Sequence, residues 1–256
     1  MSMFKKLLAK VGIGAASVDA HLYDDSIIPG EMLNGEVHIT GGDVAQEIED
    51  IYMYVATEYK REVDDSTVTE QCVLVKYRLA ESLSLQSKEV KVFPFAFQLP
   101  YETPLTVRHQ PVYLRTGLDV SLAIDPNDTD YIQVLPHPLM QVVLDALENL
   151  GFQQYKVDCL YHPRFGGRYP FVQEFEFRPT GKYRGYLDEL ELIFSLNSDF
   201  LSVFLEIDKR ARGLGGFLTE AFDMDERYVR FQVNPDIVSH PDELEAMIDD
   251  IIQSHL

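Results

Sequence analysis

Cysteine is scarce: the chain has two, Cys72 and Cys159, far apart and in no Cys-x-x-Cys or Cys/His spacing. Neither a disulfide framework nor a zinc site is indicated, and both thiols read as reduced, as in a cytosolic protein. Basic residues are also few, 22 against 42 acidic ones, for a formal charge of −20. Divided after His137, the two parts carry −10 each, so acidity runs through the whole chain. Such a field repels a phosphate backbone, and no nucleic-acid partner is expected. No stretch approaches the ~20 apolar residues that span a bilayer. The opening MSMFKKLLAKVGIGAA has early lysines, but Lys10 interrupts an apolar run already too short for a secretory core.

Signatures of catalysis are missing too. No Gly-x-Ser-x-Gly elbow, His-Glu-x-x-His pair or phosphate-loop lysine occurs. The seven histidines are scattered, and His137, His162 and His240 stand directly before proline, which marks extended or turn backbone. No metal-ligand spacing is read from them. Gly12-Ile13-Gly14 lacks the third glycine of a dinucleotide fingerprint and follows a helix-like stretch. Acidic neighbours such as Asp188 and Glu189 would point to opposite faces of a strand, as solvated charge does. The expectation is a protein with no enzyme activity, no cofactor and no metal.

What the chain does have is alternation at period two, the mark of half-buried strands. Val37 and Ile39 alternate in GEVHIT, and Ile51, Met53 and Val55 in DIYMYVATEY; Val73, Val75, Tyr77 and Leu79 repeat the pattern. Phe93, Phe95, Phe97 and Leu99 follow, with Pro94 among them. A proline cannot donate a ladder hydrogen bond, so this strand is predicted at a sheet edge or a bulge, with its phenylalanines in the core. Turn residues fall between the strands at Pro29-Gly30, Gly41-Gly42, Asp64-Asp65-Ser66 and Pro126-Asn127-Asp128. At Pro138 the period changes: Leu139, Val142, Val143, Ala146, Leu147 and Leu150 take helical spacing, with Pro138 in the first turn and Gly151 at the end. Strands then resume through Val233. The predicted fold is mainly β: an antiparallel sandwich in residues 1–137, a linking helix in 138–151, a second sandwich in 152–236 and an acidic amphipathic helix in 237–256.

Particular segments carry a family resemblance. Pro29-Gly30-Glu31 with Gly35, followed by FPFAFQLPYETP, resembles the amino-terminal sandwich of arrestin-like proteins. The order of MSMFKKLLAKVGIGAASVDAHL, GGDVAQEIEDIYMYVATEY, DPNDTDYIQVLPHPLMQVVLDALENLGF, FVQEFEF and DKRARGLGGFLTEAF is similar to the bacterial sporulation-control (SpoOM) family, from Met1 to about Val233. PHPLMQ and RARGLGG are its most specific pieces. The resemblance implies an arrestin-like pair of β-sandwiches acting as a non-enzymatic regulator.

Two features stand out as candidate sites. Lys209, Arg210 and Arg212 form a basic turn in an acidic chain, placed to pair with carboxylates across an internal interface or to take an anionic partner. In the terminal helix, Leu244, Met247, Ile248, Ile251 and Ile252 form an apolar stripe that packs on the chain's own body or docks into a protein partner. On the second reading, removing residues 239–256 leaves both sandwiches folded and changes association, as does Ile248→Asp. A cytoplasmic scaffold or adaptor working through protein–protein contact is the function expected. The alternative is a peripheral membrane-associated protein anchored by Phe4, Leu7, Leu8 and Val11 with Lys5, Lys6 and Lys10.

Overall fold

A computed structural model of the 256-residue chain describes residues 15–64, 66–120, 125–162, 167–209 and 228–256. The described residues are mainly β, with a helix at the C-terminal end and a second α-helix near the middle. They form two compact units, one within Met1–Glu58 and Glu70–Leu135, the other within Tyr59–Thr69 and Pro136–Leu256.

In the first unit, β1 (Ser17–Leu22), β3 (Met32–Thr40) and β6 (Val90–Gln98) make an antiparallel sheet in the order β1-β3-β6. A second sheet places β4 (Gln46–Val63) between β5 (Ser66–Leu85) and β7 (Val112–Val120), with β8 (Asn127–Tyr131) beyond β7. The short strands β2 (Ser26–Ile27) and β9 (Gln133–Val134) pair in parallel. Alternation works as the sequence implies: Leu33, Val37 and Ile39 of β3 are buried, as are Ile51, Met53 and Val55 of β4. In β4 a register shift between Ile48 and Asp50 resets the frame, so Ile48 and Ile51 both face inward although three positions apart. In β5 the phase differs from the expectation at one point: Val73 is exposed and Leu74 is buried.

Pro94 sits on β6, the edge strand of its sheet, opposite Glu36. Leu99 donates its N–H to Glu31 at 2.8 Å, so alternate positions down to Phe93 face β3 through their backbone, and Pro94 falls between them. The N–H that proline lacks would have pointed away from the sheet. Phe95 and Phe97 are buried and Phe93 is partly so.

In the second unit, α1 (Pro138–Asn149) begins at His137, whose Nδ1 accepts from the Leu139 N–H at 3.2 Å. Pro138 has no N–H to leave unsatisfied in the first turn, and Gly151 beyond the end takes φ +83°, a left-handed value glycine adopts without strain. Strands β10 (Phe152–Tyr161), β11 (Phe171–Pro179), β12 (Leu187–Leu196), β13 (Leu201–Lys209) and β14 (Tyr228–Val233) form an antiparallel series in chain order. A 3-10 turn, Pro235–Ser239, leads into α2 (Pro241–Ser254). The helices at 138–151 and 237–256, expected as separate segments, are both part of this unit, and α2 packs against α1. The tip of the β4–β5 hairpin belongs here as well, because Tyr59 stacks on Tyr161 and Phe171 and Lys60 pairs with Asp158 at 2.5 Å.

Candidate functional site

The terminal stripe divides in two. Leu244, Ile248 and Ile252 are 1%, 1% and 0% exposed, covered within the second unit, whereas Met247 and Ile251 remain partly exposed. Residues four apart on a helix share a face, so the covered three form one line along α2. Polar contacts fix the same docking: Asn149 Nδ2 donates to Glu245 at 3.2 Å, and Asp249 receives Lys182 and the Tyr183 hydroxyl. Burial alone would raise the Asp249 pKa, but those two donors hold it below the usual carboxylate range. Burial and the carboxylate together push the Tyr183 phenol up. Three of the five stripe residues are therefore packed as core and cannot meet a partner while α2 is docked. Met247 and Ile251, with Glu243, Ala246, Asp250 and Ser254, line a shallow outer face.

Lys209 ends β13, opposite Leu187 in register. Arg210 and Arg212 lie outside the described residues, as do Phe4, Lys5, Lys6, Leu7, Leu8, Lys10 and Val11.

The geometry brings together residues that sequence reasoning passed over. On β1 and β3 the register pairs His21 with Glu36 and Asp19 with His38. Period-two alternation then sets all four side chains on one face, opposite buried Val18, Ala20, Val37 and Ile39. The His21 and His38 rings stack at 4.4 Å between centroids. His21 Nε2 lies 2.9 Å from Asp19 Oδ2, and His38 Nε2 lies 2.6 Å from Glu36 Oε1. One ligand atom each of His21, Glu36 and His38 falls within 4.8 Å of the other two. Along the free edge of β1, the Ala20 N–H donates to Asp128 Oδ2 at 2.9 Å, and Asp130 follows two residues on. Burial first, and then the negative charge of Asp128, push the Asp130 carboxyl up to about 6. The Asp19 hydrogen bond raises the His21 imidazole against the opposing effect of burial, with the charges of Asp19, Glu36 and Asp130 adding to the rise.

Comparison with known proteins adds the lineage. The pattern of the family described as SpoOM protein matches residues 4–211. The chain belongs to the SpoOM family. Sporulation-control protein Spo0M of Bacillus subtilis (strain 168) is 44% identical over 256 residues, covering 100% of this chain and 99% of that protein. The crystal structure of Spo0M from Bacillus subtilis superposes with a TM-score of 0.87 at 42% identity, over 95% of this chain and 100% of that one. The SpoOM match includes β1, β3 and the whole histidine face and stops before α2, while the full-length relative aligns across α2 as well.

Proposed function

We propose that the chain is a non-enzymatic regulator in sporulation control, a cytoplasmic scaffold or adaptor built as two arrestin-like β-sandwich units that act by binding proteins. The observation that supports this reading is 44% identity over 256 residues with a sporulation-control protein. Edge strands and exposed helix faces are the surfaces such a body offers a partner. The outer face of α2 is the one assigned here, through Met247 and Ile251.

The test is replacement in Bacillus subtilis: a strain lacking its sporulation-control protein is given this chain, and separately the Met247→Asp/Ile251→Asp double variant. Restoration by the first and failure of the second, with both proteins equally abundant and equally stable, supports the reading. Equal restoration by both removes the α2 face from it; no restoration by the intact chain removes the shared role.

A further inference from the structure

We propose that His21, Glu36 and His38, with Asp19 beside them, bind one divalent transition-metal ion of the Zn²⁺ class on the outer face of β1 and β3. Three lines of structure lead there. The donor set of two imidazoles and a carboxylate suits zinc or copper, since imidazole nitrogen favours these ions and carboxylate completes the charge. The donors are on hand: they lie within 4.8 Å of one another. Tetrahedral zinc with bonds near 2.1 Å needs donors about 3.4 Å apart, so pairs as far as 4.8 Å apart close, while His38 Nε2 and Glu36 Oε1, now 2.6 Å apart, part by about 0.8 Å. Rotation about χ angles supplies that without moving a strand.

The scaffold is also rigid where it must be. β1 and β3 share six consecutive paired positions, Ser17↔Thr40 to Leu22↔Gly35, and β3 is fixed on its other side by nine pairs with β6. His21 Nε2 is held by Asp19, which leaves its Nδ1, without a hydrogen bond among the described residues, for the metal; His38 Nε2 is held by Glu36, itself one of the three ligands, so the ion enters between that pair. For His21 this is the arrangement ligating histidines commonly show, in which a carboxylate orients the ring and the other nitrogen takes the metal.

Charge completes the case. Asp19, Glu36, Asp128 and Asp130 crowd this end of the unit, and among the described residues none forms an ion pair with a lysine or arginine. Asp130 Oδ2 is buried with no hydrogen-bond partner. A single divalent ion offsets part of this negative charge.

Untagged full-length protein on a Cys72→Ser background, which removes a partly exposed competing thiol, is titrated with Zn²⁺ by calorimetry. One equivalent is expected to bind at micromolar level, and His21→Gln, His38→Gln and Glu36→Gln each weaken it by more than about ten-fold. His109→Gln and His255→Gln leave it unchanged. The four residues stand on a solvent-facing sheet surface, so the variants are expected to melt with the parent. A second readout needs no variant: Cu²⁺ bound to the same protein shows electron-paramagnetic coupling to imidazole nitrogens. Ca²⁺, which takes oxygen ligands, is expected to compete poorly. Binding no tighter than about 1 mM on the affinity scale overturns the assignment. So does a Cu²⁺ spectrum without nitrogen coupling, equal competition by Ca²⁺, or indifference to all three substitutions.

Discussion

Replacing Ile248 with alanine removes three carbons from a side chain that is 1% exposed on the buried face of α2. Lost transfer free energy and the cavity left behind together cost about 3 kcal/mol, the middle of the range for isoleucine-to-alanine changes in cores. Met247→Ala and Ile251→Ala act on partly exposed neighbours of the same helix, and each should cost less than about 1 kcal/mol. The contrast is the real test, because all three substitutions raise helix propensity alike and differ chiefly in what covers the side chain. A cost of 3 kcal/mol lowers the melting temperature by about 6–12 °C for a cooperative unit of 150–250 residues. Urea unfolding followed by circular dichroism, with scanning calorimetry beside it, measures both quantities. If Ile248→Ala lies within about 0.5 kcal/mol of wild type, or if Met247→Ala costs as much, then α2 is not docked through Leu244, Ile248 and Ile252 and the division of the stripe is refuted. Deleting residues 239–256 exposes the surface these three cover, so it should destabilise the second unit, against the sequence-based expectation that the helix is dispensable.

Asp249→Asn should cost about 1–2 kcal/mol at neutral pH, mostly through the Tyr183 hydroxyl, since the half-exposed Lys182 contributes little. The Asp249 pKa is depressed in the folded state, so its contribution is present above the unfolded value near 3.8 and is lost as pH falls through the folded one. The variant should therefore show a flatter acid limb in stability measured against pH; a limb identical to wild type counts against the pairing. Gly117→Ala places a Cβ 2.4 Å from the Tyr52 ring and should cost about 1–3 kcal/mol by chemical denaturation. Pro94→Thr restores an outward N–H on the β6 edge and should leave the melt nearly unchanged while increasing self-association by light scattering; monodisperse behaviour at high concentration would show that proline is not what protects this edge. Vesicle flotation at physiological salt should show little binding to anionic lipid, because a body of −20 charge is repelled; strong flotation abolished by deleting residues 1–12 would favour the membrane-anchored alternative.

The mainly β character and the terminal helix were legible because they rest on local periodicity. Val37/Ile39 and Ile51/Met53/Val55 alternate in sequence and are buried in the structure, and Leu244, Ile248 and Ile252 keep helical spacing and one face. Periodicity breaks down where the backbone adds a residue. The shift between Ile48 and Asp50 cannot be seen in the pattern, since Ile48 and Ile51, three positions apart, break strand alternation and on spacing alone match one face of a helix. Nor could it show that the hairpin tip from Tyr59 joins the second unit, because Tyr59, Tyr161 and Phe171 meet only through tertiary packing.

The histidine face went unread for a different reason. Asp19-Ala20-His21 and Glu36-Val37-His38 are two acid-x-His tripeptides, and each by itself is an ordinary solvent-facing strand segment. Metal spacings sought along one chain direction miss them, because no ligand pair on a single strand contains both histidines. The missing information is the register: Ser17 opposite Thr40 sets Asp19 against His38 and His21 against Glu36. A slip of one residue would send the two tripeptides to opposite faces of the sheet. Register here is held by the other face, where Val18, Ala20, Val37 and Ile39 are buried and would be exposed by any such slip. The apolar residues between the ligands thus specify the ligand geometry. By the same logic, Val37→Ser should loosen the site without touching a donor, weakening Zn²⁺ binding together with the strand pairing. His38→Gln instead should weaken binding by more than about ten-fold and leave the pairing intact, as hydrogen exchange of the β3 amides would report. If Val37→Ser leaves Zn²⁺ affinity at the wild-type value while β3 protection falls, the buried face does not hold the register on which the site depends.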